Sequence, residues 1–215
     1  MEQTIRSKPT GSNPAAHGAQ AAKSERMRRA ILATAVGRLA ELGYHATSIK
    51  KIAQVGNFSV GALQHHFASR EDLMVAIVAR ALERAEAYAL QNPISPGRGG
   101  IAGLLFASWR DQIQTDWYLA MIEIFVAART DARLRARIAP LVRNYSDVTE
   151  RRIAAAATGG ESNESAAFLI GVSRCMMGGL LIQDALALPA RHANEFVRKW
   201  GGFVEKALAS EEAGR

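Results

Sequence analysis

Apolar residues recur at helical spacing along nearly the whole chain, and no sustained period-two stretch interrupts them. Ile31, Leu32, Ala35, Val36 and Leu39 form a stripe that predicts a first helix over residues 24–42. Gly43 then sits where a helix takes its C′ glycine, with Tyr44 placed to pack back on the last turn. From Thr47 to Leu73 the pattern tightens into two short helices around a sharp turn. Thr47 is the expected N-cap of the first, and Ile49, Ile52 and Ala53 give its apolar face. Gly56-Asn57 breaks that helix; Asn tolerates positive φ better than most residues, and Phe58 plugs the corner. Ser59 caps the second helix, whose Leu63 and Phe67 share one face while Val60, Gly61, Gln64 and His65 occupy the other. Ser69, with Asp72 in the capping-box position, starts a longer helix over 70–91 carried by Leu73, Ile77, Val78, Ala81, Leu82 and Ala85.

A Pro- and Gly-rich breaker covers 92–100. Beyond it the spacing predicts helices over 101–114, 116–129, 132–157, 164–186 and 190–209. Thr130-Asp131 caps the third of these, Pro140 is expected to kink it, and Gly159-Gly160 ends it. The predicted class is all-α, with an N-terminal three-helix helix-turn-helix domain over 24–72 and a C-terminal helical domain over 73–215. Residues 1–23, rich in Gly, Ser, Pro, Ala and Gln, are expected to be a disordered tail.

Charge sharpens this picture. The net charge is +7; residues 1–72 hold ten Lys/Arg against five Asp/Glu, and the rest seventeen against fifteen. A basic surplus concentrated on the turn-bearing part favours a polyanionic partner, although a solvated surface gives the same count. Arg26, Arg28 and Arg29 fall near the expected start of the first helix, where the dipole disfavours cations, so they suit either a nearby phosphate or a solvated charge face. The single cysteine, Cys175, excludes an internal disulfide framework and fits a reducing cytoplasm. No apolar run reaches the ~18 residues of a membrane helix, Glu123 and Gln183 interrupting the best candidates, and no signal peptide is expected.

Two short helices with a slim outer face suit a DNA major groove, which admits one helix. Gly61 and Ala62 keep the approaching surface thin, Val60 and Ala62 suit apolar contact with thymine methyls, and Gln64 has the donor–acceptor pair for adenine. Ser59, His65, His66 and Arg70 are candidates for phosphates. With Thr47 and Ser48 at the start of the first short helix, these complete the expected DNA-binding set.

The stretch resembles the DNA-binding signature of the tetracycline-repressor (TetR) family of bacterial regulators. Gly43-Tyr44, Thr47, Ile52-Ala53, Ser59, Gly61, Leu63, His66-Phe67, Ser69, Glu71 and Leu73 carry the resemblance. It departs where Asn57 replaces the usual turn glycine, Val60 a frequently polar or basic residue, Ala62 a common Thr, and Gln64 a frequent phosphate-contacting tyrosine. The packing residues are kept, so the departures bear on the operator sequence and not on the fold. The resemblance implies a homodimer on double-stranded DNA, more often a repressor than an activator. It also implies a small-molecule effector of unknown identity bound in the second domain, and no cofactor.

In that domain Trp109, Trp117, Tyr118, Met121 and Phe125, with Cys175 and Met176 on a later helix, suit either an apolar effector pocket or ordinary core. Leu169, Val172, Met176 and Leu180, with Phe196, Trp200 and Phe203, suit a four-helix interface between two copies, or internal burial. Glu123 is either an exposed helix position or a buried acid meeting a cationic or hydroxylated ligand, and Arg174 and Asp184 pose the same question. No catalytic constellation or metal motif appears: His65 and His66 are adjacent and so do not face one another on a helix. The expectation is a cytoplasmic regulator, not an enzyme. Its rival is a helical ligand- or protein-binding module whose DNA head has decayed.

Overall fold

Two residues in the left-handed region set the corners of the N-terminal part. Gly43, at φ 75° and ψ 175°, breaks helical geometry inside α1 (Pro14–Ala46), and Asn57, at φ 55°, reverses the chain after α2 (Ile49–Val55). Asn57 is the only non-glycine residue with positive φ among the described residues. The computed structural model describes residues 14–92, 99–152, 155, 164–186 and 190–213. The remaining elements are α3 (Val60–His66), α4 (Arg70–Gln91), α5 (Gly100–Ser108), α6 (Asp116–Thr130), α7 (Ala132–Asn144), α8 (Glu164–Leu186) and α9 (Ala190–Ala213). Two π-helical stretches, Trp109–Ile113 and Tyr145–Glu150, follow α5 and α7.

The all-α class and the order of elements agree with the sequence pattern. Helix ends shift by up to four residues at Ala46, Thr130 and Ala213, and three larger differences stand out. First, α1 begins at Pro14 and not at residue 24, so residues 14–23 of the expected tail are helical. Pro suits the first helical position, and the Ala-rich stretch after it has high helix propensity. Residues 1–13 lie outside the described residues, as do 156–163, where Gly159-Gly160 was expected to end a helix. Second, the helix expected over 101–114 changes to π geometry at Trp109. Third, α7 passes through Pro140 and changes to π geometry at Tyr145.

Burial divides the chain into two cores, and the division does not fall at residue 72. The first core gathers Ile31 and Leu39 of α1, Ile52 of α2, Leu63 of α3 and Ile77 of α4 with Ile124 of α6 and Leu134 of α7. The expected head thus shares one interior with half of the expected second domain. Burying each such side chain stabilises by about 1.5–3 kcal/mol, so this joint is a stable one. The second core joins α5, Trp109 and Ile113 to Ile170 and Met177 of α8 and Val197 and Val204 of α9. Tyr118 of α6 packs against both. Gly178 of α8 makes that possible, since a Cβ there would stand 2.9 Å from the Tyr118 hydroxyl.

Helix α8 is more apolar than the sequence reading allowed: Glu164–Gln183 has the length and mean hydropathy (1.7) to cross a membrane. One third of that window is buried inside the fold, and Arg174 lies in its middle, as suits a helix with one face in a core.

The Asn57 corner generates a direct test. Asn57→Ala should lower stability by about 1 kcal/mol, the cost of forcing a Cβ into the left-handed region, whereas Asn57→Gly should retain it. Urea denaturation midpoints of the two variants decide this.

Candidate DNA-reading head and helical-domain cavity

The recognition surface is set by two caps and one apolar face. Ser59 Oγ accepts from the Ala62 amide at 3.0 Å and fixes the start of α3. Leu63 and Phe67 turn into the core, which leaves Val60, Gly61, Gln64 and His65 exposed and Ala62 and His66 half-buried. Ser48 caps α2 by accepting from the Lys51 amide at 3.3 Å. A slim, uncharged outer face therefore projects from a helix held at its N-terminus.

Two members of the expected DNA-binding set do other work. Thr47 is neither the cap of α2 nor free for DNA. It is buried, and its hydroxyl lies within donating distance of the Gly43 carbonyl (2.9 Å) and the Arg38 carbonyl (3.2 Å), tying the break in α1. Arg70 is turned inward as well. Its guanidinium lies 3.9 Å from the Tyr44 ring centre, and Nη2 donates to the Tyr44 carbonyl at 2.5 Å. Arg26, Arg28 and Arg29 need no phosphate to explain them, because a helix that begins at Pro14 places them in its interior. Arg28 lies over the Phe67 ring at 5.1 Å, and Arg29 approaches Glu25 at 3.6 Å. Sequence reasoning passed over Lys50, an exposed cation on the outer side of α2; its signal was an unmatched lysine between the apolar Ile49 and Ile52.

Glu123 resolves into neither of its two expected roles. Its carboxylate accepts the Tyr44 amide at 3.0 Å, immediately after the Gly43 break, and so joins α6 to the corner of the head. At the far end of the head, Arg137 of α7 pairs with Glu71 (3.0 Å) and Asp72 (2.8 Å) at the start of α4. The Ser69 hydroxyl, donating to Asp72 at 2.7 Å, and Arg137 hold the Asp72 carboxyl below its ordinary pKa. This outer pair is exposed, and such pairs contribute little to stability.

A cavity of about 120 Å³ lies between α4, α5, α6 and α8. Trp117, Tyr118, Met121 and Phe125 line it. Three other expected pocket residues do not. Trp109 is fully buried in the second core, its indole N–H donating to Asn194 at 2.8 Å. Cys175 is exposed on the outer face of α8. Met176 lies beside the second core, and Met177, one residue and ~100° further round the helix, lines the cavity instead. Burial pushes the Tyr118 hydroxyl above its ordinary pKa, so it is present as a neutral O–H.

The expected dimer residues also separate. Leu180 is buried in the second core; Leu169, Val172, Met176 and Trp200 are half-buried; the Trp200 indole donates to Ser173 at 2.7 Å. Phe196 (51% exposed) and Phe203 (58%) are open, together with Phe168 (69%) and Leu186 (78%), which the sequence reading did not single out. The Asp184 side chain lies outside the described residues. Among the described residues no group of three or more His, Cys, Asp or Glu is placed to hold a metal.

Arg70 now carries a prediction of its own. Arg70→Ala should lower the melting temperature by uncovering Tyr44 and leaving its carbonyl with the Thr47 amide as its remaining donor. The salt dependence of duplex binding should stay as in the parent, whereas a phosphate-contacting arginine would reduce it.

Comparison with known proteins bears on the head and the fold separately. Residues 31–77 match the family model described as bacterial regulatory proteins, tetR family. The HTH-type transcriptional repressor AcnR of Corynebacterium efficiens is 29% identical over 110 residues, which cover 51% of this chain and 55% of that protein. The HTH-type transcriptional repressor Rv1474c of Mycobacterium tuberculosis is 31% identical over 104 residues, covering 48% and 52%. The chain therefore spans about half the length of the curated relatives it matches. Among solved structures, Salmonella enterica GusR superposes with a TM-score of 0.62 at 22% identity, covering 86% of this chain and 94% of that one. The multidrug binding protein EbrR complexed with ethidium gives 0.57 at 20%, covering 81% and 97%. The match to the family model lies on the capped turn-and-helix head, and the solved structures share the helical fold of most of the chain.

Proposed function

We propose that this chain is a ligand-responsive DNA-binding transcriptional regulator: a homodimeric repressor of a near-palindromic operator, released when a small molecule occupies the cavity. The outer face of α3 carries the reading. It is thin, exposed, capped at Ser59 and anchored by the buried Leu63, as a helix entering a major groove requires. It lies within the residues that match the family, and relatives with that head are named as repressors.

On this reading Gln64 reads a base, and Val60 and Ala62 meet thymine methyls. Ser48, Ser59, Gly61, His65 and His66 supply the surrounding surface, and Lys50 faces a phosphate. The exposed Phe168 and Leu186 of α8 and Phe196 and Phe203 of α9 support the homodimer, because pairing two copies through these helices would take such large apolar side chains out of water. The effector site finds support in the cavity and in the ethidium complex of EbrR, a protein of similar fold. Met121 and Phe125 of its wall flank Glu123 on α6, so a ligand that favours one position of α6 biases the corner at Tyr44. It can do so only to the extent that it binds one arrangement more tightly than the other.

Two measurements test the reading. In fluorescence anisotropy against duplex DNA at several salt concentrations, Lys50→Ala should weaken binding on all sequences and reduce the slope of log K against log salt by about 0.9. Gln64→Ala should instead relax sequence preference and keep that slope. Absent or salt-insensitive binding by the parent chain would favour a decayed head. In sedimentation velocity the parent should run as a dimer, and Phe203→Glu should shift it towards monomer; a parent that stays monomeric at tens of micromolar contradicts the homodimer.

A further inference from the structure

Two ion pairs set the register of α7 against α4. Arg137 pairs with Glu71 at 3.0 Å, and Arg152, just past the second π-helical stretch, pairs with Glu86 at 3.1 Å. Both pairs join residues 66 apart, so the two helices run side by side in the same direction. α7 starts at Ala132, five residues before Arg137, whereas α4 starts at Arg70, one residue before Glu71. The foot of α7 therefore overhangs the start of α4 by four residues, about 6 Å at ~1.5 Å per residue. The connection that leaves α3 at His66 and enters α4 at Arg70 lies at the level of that overhang.

The foot is rich in arginine: residues 129–137 hold four Arg and one Asp, a surplus that suits an anionic partner. Arg129, Arg133 and Arg135 are exposed, Arg133 by 89% of its side chain. The one acid is engaged as a cap, Asp131 accepting from the amides of Arg133 and Leu134 at 3.0 Å. Glu71 and Asp72 of the head are held by Arg137. Glu71 also stands 3.9 Å from Arg133 Nε, a long pair whose cation remains in water. The Arg135 guanidinium donates to the Arg129 carbonyl at 3.0 Å, which stiffens the turn between α6 and α7. From α1, Arg28 lies over the ring of Phe67, the first residue after α3. Cations from α1 and from the foot of α7 are thus carried to the connection between α3 and α4.

A helix seated in a major groove about 12 Å wide has phosphate backbone along its flanks and past its ends. The backbone that borders the C-terminal end of α3 passes the α3–α4 connection, and with it the foot of α7. We propose that Arg129 and Arg133 contact DNA phosphates, so that the second domain holds the duplex together with the head. Guanidinium groups suit this role, because they stay ionised and form paired hydrogen bonds to phosphate. Such contacts carry no base information; they fix the angle at which α3 enters the groove. Arg129 belongs to α6, so a shift of the helix that lines the cavity moves a DNA contact directly. The proposal rests on the DNA-binding reading above and extends it beyond residues 31–77, which match the family model.

The test is fluorescence anisotropy of the full chain on a labelled mixed-sequence duplex of about 40 base pairs, long enough for two half-sites one turn apart. The double variant Arg129→Ala/Arg133→Ala should lower the slope of log K against log salt by about 1.8, or ~0.9 for each phosphate lost. Arg129→Lys/Arg133→Lys keeps both charges and should retain the parent slope. Arg143→Ala is the control: this arginine is exposed on the same helix, ten residues and about 15 Å beyond Arg133, and its loss should leave the slope unchanged. Both side chains at the foot are exposed, so the alanine variant should melt with the parent in circular dichroism. A slope for the alanine variant equal to that of Arg143→Ala overturns the proposal and makes the foot a solvated face. If Lys50→Ala still lowers the slope in that case, the DNA-binding reading of the head stands. A parent chain without salt-dependent binding removes that reading and the proposal together.

Discussion

The position of α1 against α6 is the constraint on which the rest of the structure depends. Ile31, Ala35 and Leu39 of α1 are buried in the same cluster as Ala120, Ile124 and Ala127 of α6. The small side chains on α6 let the helices approach closely, and Ile124 fills the space between them. Where α1 breaks at Gly43, the Tyr44 amide is the first backbone donor released from the helix, and Glu123 of the same α6 accepts it. An unpaired, part-buried amide at this corner would cost about 1–3 kcal/mol, so the carboxylate fixes where the head turns off.

That corner then determines the rest of the head. Tyr44 carries Arg70 on its ring and on its carbonyl, and Arg70 begins α4, directly after α3. Thr47, two residues before α2, ties the same break from inside. A chain of short contacts thus runs from α6 through Tyr44 to Thr47, just before α2, and to Arg70, just after α3. The cavity lies on the other side of α6. Its wall and the head's corner are faces of one helix, which is the physical requirement for a ligand on one side to bias geometry on the other.

Much of this was legible in the sequence because local rules and tertiary packing agree there. Helical periodicity placed α4 and α8 with the bounds found, and Ser59, Ser69 and Asn57 act as their chemistry suggested. The misreadings have a common cause: a polar residue near a helix end has several possible partners, and only the fold chooses. Thr47 and Ser48 are both competent caps, and burial of the first leaves the second to do it. Arg70 has the charge for a phosphate and the shape for an aromatic ring, and Tyr44 lies within reach of it. The packing of the head on α6 and α7 was not legible for the same reason, since periodicity marks which face is apolar but not which helix covers it. Of the pocket residues, Met121 and Phe125 share one face of α6 and were found together; Met176 and Met177 were separable only once α8 had a fixed rotation.

The measurement that bears most directly on the central claim is selection of bound sequences from a random duplex pool at about 0.15 M salt, where weak electrostatic association is partly suppressed. A dimer presenting two copies of α3 should recover a near-palindrome, its half-sites spaced by one DNA turn or a multiple of it. Recovery of no common motif by the folded, dimeric chain would contradict the account of α3 as a base-reading helix.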